Sequence, residues 1–263
     1  MIALEDCTVV FNANSADERK ALNAIWLMIE RGDFVTVIGS NGAGKSTLLN
    51  LIAGSVRPSS GSLIIDGVDR TGEPEYLRSR SIGRVFQDPL AGTAAEMTVE
   101  DNLAVAARKG PKPLRIAMTR SRKAEFRDRL AELGIGLENR MKENVNRLSG
   151  GQRQALTLLM AVIARPKILL LDEHTAALDP ANAEKVLELT QHFAREYGLS
   201  VLMVTHDMAR AINLGNRLIM MDKGEIIMDV SGAEKSNLTV DALVHRFRQI
   251  RKQDFAGDRA LLA

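Results

Sequence analysis

The sequence predicts an α/β protein built around a largely parallel sheet, and three observations carry that expectation. Short apolar runs bounded by turn residues recur at Ile25 to Ile29, Phe34 to Ile38, Leu63 to Ile65, Ile82 to Phe86, Ile168 to Leu171, Val201 to Thr205 and Leu218 to Met221. Several are continuously apolar, the pattern of central strands covered on both faces. Helical patterns such as Ala181 to Tyr197 lie between them.

In chain order, the run Phe34 to Ile38 passes through a glycine-rich turn into the helical Thr47-Leu-Leu-Asn-Leu-Ile. Between Asp88 and Arg165 strand-like runs vanish and helix-forming sequence dominates, with Glu125 to Leu133 reading as an amphipathic helix. This stretch is expected to be an inserted helical subdomain. Lys223-Gly224 predicts a tight turn into a last strand, Glu225 to Val230, followed by a polar tail with one helix near Val240 to Arg251.

A chain of 263 residues can bury a sizeable core unaided. It holds no apolar run near the ~18 residues of a membrane span and begins with acidic residues where a secretory signal would be basic, so a cytosolic location is expected. Cys7 is the only cysteine, which excludes an internal disulfide, and a small half-buried strand residue is expected there. A net charge of +2 argues against a general grip on nucleic acid.

The strongest chemical signal is Gly39-Ser-Asn-Gly-Ala-Gly44-Lys45-Ser46, a full phosphate-binding loop placed after a strand and before a helix. Glycines let backbone N–H groups turn inward around phosphates, and the helix adds its partly positive N-terminus. Lys45 reaches the outer phosphates, and the Ser46 hydroxyl suits Mg²⁺. Candidate nucleotide contacts are therefore Gly39, Ser40, Asn41, Gly42, Ala43, Gly44, Lys45, Ser46 and Thr47.

The run Ile168 to Leu171 ends in Asp172 and Glu173, and alternation along a strand points two adjacent carboxylates in different directions. Asp172 suits the metal shell, while Glu173 suits polarising an attacking water. Ser149, Gly150, Gly151 and Gln152 open a second helix, Gln154 to Ala164, as a second prepared anion site.

Taken in order, GSNGAGKST, VFQDP, LSGGQ, ILLLDE, ALD and VTHD resemble the full motif set of ABC (ATP-binding cassette) ATPases, over Ile2 to Val230. The resemblance implies a P-loop NTPase (RecA-like) core with an antiparallel β subdomain and an inserted α-helical subdomain. The core would occupy residues 1–87 and 165–230, the helical subdomain 88–164, and a short helical tail 231–263. It implies ATP and Mg²⁺ as cofactors, and a head-to-tail homodimer in which LSGGQ of one copy closes on the phosphates held by the other. It also implies transmembrane permease subunits, an extracytoplasmic substrate-binding protein if the complex is an importer, and a peripheral position on the cytoplasmic face of the membrane.

Residue by residue, the resemblance makes Phe11 the adenine-stacking aromatic, where tyrosine is more usual. Gln87 resembles the glutamine that reaches the Mg²⁺ or the attacking water, Asp179 the aspartate that aligns the two subunits, and His206 the switch histidine on the γ-phosphate. His174 departs from the pattern, standing where most transport cassettes have proline; it reads as loop variation whose protonation could tune pH dependence. DEHTAALDP with AEKVLELT, and RLIMMDKGEII, resemble ATPase subunits of bacterial importers of aromatic amino acids, so tryptophan or tyrosine import is expected. A soluble cassette of the iron–sulfur assembly type is the rival. Arg108 to Lys123 holds seven basic and no acidic residues; a solvated surface is expected there, with lipid headgroups the alternative.

Overall fold

The computed structural model describes residues 1–108 and 119–249. The chain opens with a hairpin of β1 (Ile2–Phe11) and β2 (Arg19–Ile29), then β3 (Phe34–Gly39) and α1 (Lys45–Ala53). Next come β4 (Ser60–Ile65), β5 (Val68–Asp69), α2 (Glu75–Arg78) and β6 (Ile82–Val85). Helices α3 (Val99–Ala106), α4 (Arg120–Glu132) and α5 (Gly150–Ile163) follow, with short 3-10 turns at Leu137–Asn139 and Val145–Arg147. The last part is β7 (Ile168–Asp172), α6 (Pro180–Tyr197), β8 (Ser200–Val204), α7 (Met208–Asn213), β9 (Arg217–Asp222), β10 (Glu225–Ser231) and α8 (Gly232–Ser236). Residues 240–249 form a final helix.

Two sheets result. The larger has six strands in the order β10-β9-β3-β8-β7-β6, parallel except for β10, which returns antiparallel to β9 through Lys223 and Gly224, both at positive φ. The smaller is antiparallel, in the order β2-β1-β4-β5.

The continuously apolar strands are explained by covering on both faces. Ile168 and Leu170 of β7, with Leu202 and Val204 of β8, join one cluster with Leu48, Leu49, Leu51 and Ile52 of α1 and the inner face of the small sheet. Leu169, Leu171, Val201 and Met203 point the other way, into a cluster with α3, α4, α5 and α6. Burial of these side chains stabilises each by roughly 1.5–3 kcal/mol, so the sheet is held from both sides. A third cluster seats the final helix, through Leu243 and Phe247, over Ile38, Leu218 and Met220.

Several expectations need correction. The run Ile25 to Ile29 is only the second half of β2, because Arg19 to Ala24 is mostly polar at its exposed positions and the β1–β2 register is interrupted by irregularities. β6 ends at Val85, one residue short. Cys7 is fully buried, with its Sγ 3.1 Å from the carbonyl of Ser62. Most of the basic stretch Arg108 to Lys123, residues 109–118, lies outside the described residues, as do Ile250 and Arg251 of the tail helix. Within the described part of that stretch, Lys123 pairs with Glu100 at 2.8 Å.

Candidate functional site

The carboxyl ends of β3, β8 and β7, adjacent in the sheet, bring together Gly39, His206 beyond Val204, and Asp172 with Glu173. Ligands of open α/β sheets bind at this edge because the strands end there and the helices begin.

The loop from Gly39 to Gly44 can take its path only with glycine at two places. Gly39 has φ 153°, and a Cβ on it would lie 2.2 Å from the Met221 carbonyl oxygen. Gly44 has φ 100°, and a Cβ there would lie 2.6 Å from the Ala21 carbonyl oxygen. Both therefore press directly on neighbouring backbone. Gly44 is the N-cap of α1 and gives no side-chain cap, so the first amides of the helix are left for an anion.

A cavity of about 240 Å³ opens over this loop, lined by Asn41 to Thr47, Phe11, Arg19, Ala21 and Glu173. Phe11 is 39% exposed at the end of β1, so its ring is not part of the core. Lys45 is buried at the inner end and donates to the carbonyls of Gly39 and Ser40, each at 2.9 Å. Desolvation holds its ammonium below the ordinary lysine range, opposed by the negative charges of Glu173 and Asp172. Ser40 is anchored by donating to Asp222 Oδ1 at 2.6 Å.

The Ser46 hydroxyl lies 3.3 Å from Asp172 Oδ1. Burial pushes the Asp172 carboxyl up, while the Ser46 hydrogen bond, Arg84 and Lys45 pull it back toward ionisation. Two hard oxygen donors side by side against a phosphate-binding loop fit Mg²⁺.

Glu173 departs from the strand geometry expected of it. The strand stops at Asp172, and Glu173 sits at φ 45°, a left-handed conformation that costs a non-glycine residue about 1–2 kcal/mol. Its amide donates to the Val204 carbonyl at 3.0 Å, which holds the turn. Strand alternation therefore does not govern Glu173: Asp172 lies against Ser46, and the backbone reversal takes Glu173 to His206. Glu173 Oε2 meets His206 Nδ1 at 3.3 Å and faces the cavity.

Gln87 stands exposed just past β6 and is not part of the cavity lining. Ser149, Gly150, Gly151 and Gln152 lie outside the lining too. They form a reciprocal cap: Gln152 N–H donates to Ser149 Oγ at 3.3 Å, and Ser149 N–H to Gln152 Oε1 at 3.2 Å. Gly151 is buried, and a Cβ there would strike Asn182 Cγ at 2.5 Å. Asn182 is in turn held by Asp179, the N-cap of α6, at 3.1 Å from its amide and 2.6 Å from its side chain. The LSGGQ segment and Asp179 thus share one rigid corner. His174 is 2% exposed, its Nε2 3.3 Å from Thr190 Oγ1 on α6. Desolvation and the charge of Arg210 lower its pKa to about 4, so it stays neutral near pH 7.

Motif reading missed Arg19 and Ala21. Neither belongs to a spaced pattern, and the only sequence signal was the position of β2 opposite Phe11, which needs the strand register to be known.

A family model described as ABC transporter matches residues 22–176, more than half of the chain. Over 220 residues the chain is 47% identical to a tyrosine transport ATP-binding protein of Clostridioides difficile (strain R20291), covering 83% of this chain and 87% of that protein. It is 31% identical to an energy-coupling factor transporter ATP-binding protein of Clostridium perfringens, covering 97% and 91%. Among solved structures, the dimeric bacterial ABC transporter cassette MJ0796 superposes with a TM-score of 0.75 at 28% identity, covering 88% of this chain and 98% of that one. A post-hydrolysis dimer of the same cassette with ADP and Pi gives 0.72 at 29%. No helix among the described residues is long and apolar enough to cross a membrane. The chain belongs to the ABC transporter family, as an ATP-binding and ATP-hydrolysing cassette.

Proposed function

We propose that this cassette energises a bacterial importer of amino acids, of the tyrosine or tryptophan type, from the cytoplasmic face of the membrane. The observation that carries the site is the meeting of Glu173 and His206 at the rim of the phosphate-loop cavity. The import reading is supported by the 47% identity to a tyrosine transport protein, together with the DEHTAALDP and RLIMMDKGEII segments.

In this reading the amides of Asn41 to Thr47 cradle the phosphates and Lys45 turns from the loop carbonyls to the outer phosphate oxygens. Phe11 stacks on the adenine. Ser46, Asp172 and Gln87 would hold Mg²⁺, whose charge would offset that of the phosphates. Glu173 accepts from the attacking water, and His206 holds Glu173 and the γ-phosphate in line. Ser149, Gly150, Gly151 and Gln152 bind the triphosphate held by a second copy, with Asp179 aligning the pair. Closure of that homodimer drives permease subunits, which receive solute from an extracytoplasmic binding protein, and hydrolysis resets it. Residues 1–87 and 165–230 act as the core, 88–164 as the helical lever, and 231–263 as the tail.

The test is a pull-down of the chain from membranes with mass spectrometry of co-eluting proteins, then uptake of labelled tyrosine and tryptophan by the complete complex. Permease partners and uptake of either amino acid are expected. A purely soluble complex would replace this reading with the assembly-factor rival, and a complex transporting neither would remove the aromatic substrate.

A further inference from the structure

Arg19 stands at the start of β2. Its guanidinium makes no hydrogen bond or ion pair among the described residues, although Arg19 lines the phosphate-loop cavity. Its Cα partner across the β1–β2 ladder is Phe11. Directly opposed residues of an antiparallel pair project on the same face, and Ala21, two residues on, lines the cavity as well. Lys20 projects to the other face and donates to Asn23 Oδ1 at 3.1 Å.

The guanidinium is brought against the loop at one point. Gly42 sits at φ 79°, and a Cβ there would be 3.2 Å from Arg19 Nη2. The bare glycine leaves the cation room against the phosphate-loop backbone. Lys45, at the inner end, already has its charge opposed by Glu173 and Asp172. Arg19, at the outer end, has no carboxylate paired with it among the described residues. A planar fork of donors held over a phosphate cradle is suited to two phosphate oxygens at once.

We propose that Arg19 is a second polyphosphate-binding cation of the nucleotide site, clamping the phosphates from the rim while Phe11 takes the base. The proposal rests on the ATP-binding reading of the cavity. It assigns a contact that none of the six motifs contains.

The experiment is equilibrium binding of ATP, inorganic tripolyphosphate and adenosine to the full chain, for wild type and for Arg19→Ala, Arg19→Lys and Lys20→Ala, with steady-state ATPase kinetics alongside. Arg19→Ala is expected to weaken ATP and tripolyphosphate about tenfold and leave adenosine unchanged, raising KM for ATP far more than it lowers kcat. Arg19→Lys should recover part of that loss, and Lys20→Ala should bind like wild type. Unchanged ATP affinity in Arg19→Ala overturns the proposal, as does an equal loss in Lys20→Ala, which would mean bulk charge only. A loss falling equally on adenosine would assign Arg19 to the nucleoside and overturn it too. Failure of the wild-type chain to bind ATP would overturn the nucleotide reading, and the role of Arg19 with it.

Discussion

His174 supplies a pH-dependent term in stability whose sign and size follow from its burial. The imidazole is enclosed, bonded to Thr190 and near Arg210, and its pKa falls from the ordinary histidine value of 6.5 to about 4. Between those values the unfolded chain binds the proton and the folded chain refuses it. A depressed folded pKa contributes stability that is whole above pH 6.5 and is lost as the pH falls toward 4. At about 1.4 kcal/mol per unit, the loss reaches about 2 kcal/mol at pH 5 and roughly 3 kcal/mol once both states are protonated. For a chain of this size, 2 kcal/mol corresponds to a fall in Tm of roughly 4–8 °C. Thermal unfolding of wild type and His174→Gln from pH 8 to pH 4.5 isolates the term, because the carboxylates and the other histidines titrate in both proteins. The gap between the two Tm values should narrow or reverse as the pH falls. A gap constant to within 1 °C over that range would show that His174 is not held neutral by its surroundings.

Glu173→Gln keeps the side-chain shape and the left-handed backbone but removes the water acceptor, so phosphate release should fall about 10²–10⁴-fold with ATP binding retained; full turnover would remove the role assigned to Glu173. Gly151→Ala forces a Cβ to within 2.5 Å of Asn182, so a cost of about 1–3 kcal/mol is expected at the corner shared by α5 and α6. ATP binding by the single chain should survive that change while hydrolysis is lost; unaltered hydrolysis would separate this corner from the chemistry. Arg78 is 1% exposed and donates to the carbonyls of Leu51, Ile52, Arg70 and Thr71. Arg78→Met should destabilise the fold by about 3–5 kcal/mol by stranding those acceptors, read as lost expression or a lowered Tm.

The central strands were legible in the sequence because burial on both faces leaves one continuous apolar run, as in Ile168 to Leu171. The β1–β2 hairpin was only half legible, since its outer positions are polar and its irregular register breaks strict alternation. Motif spacing pointed to Lys45, Asp172 and Glu173, and motif order through the family resemblance pointed to His206; the fold places all four near the carboxyl ends of β3, β7 and β8. Strand alternation was the expectation for the two carboxylates, whereas the strand ends at Asp172 and Glu173 is placed by a positive φ that no composition reveals. Arg19 was invisible because its place depends on pairing across a turn, not on neighbours in sequence. The enclosure of His174 was equally hidden, as Thr190 lies 16 residues away on α6.

The account depends on two helix starts, at Gly44 and at Gly151, sharing one triphosphate across a pair of chains. The most direct measurement is the structure of the Glu173→Gln chain trapped with ATP and Mg²⁺. Ser149 and Gly151 of each copy should lie within hydrogen-bonding distance of the phosphates held by the other copy's loop. An assembled, ATP-loaded complex in which both residues stand far from every nucleotide would contradict the account.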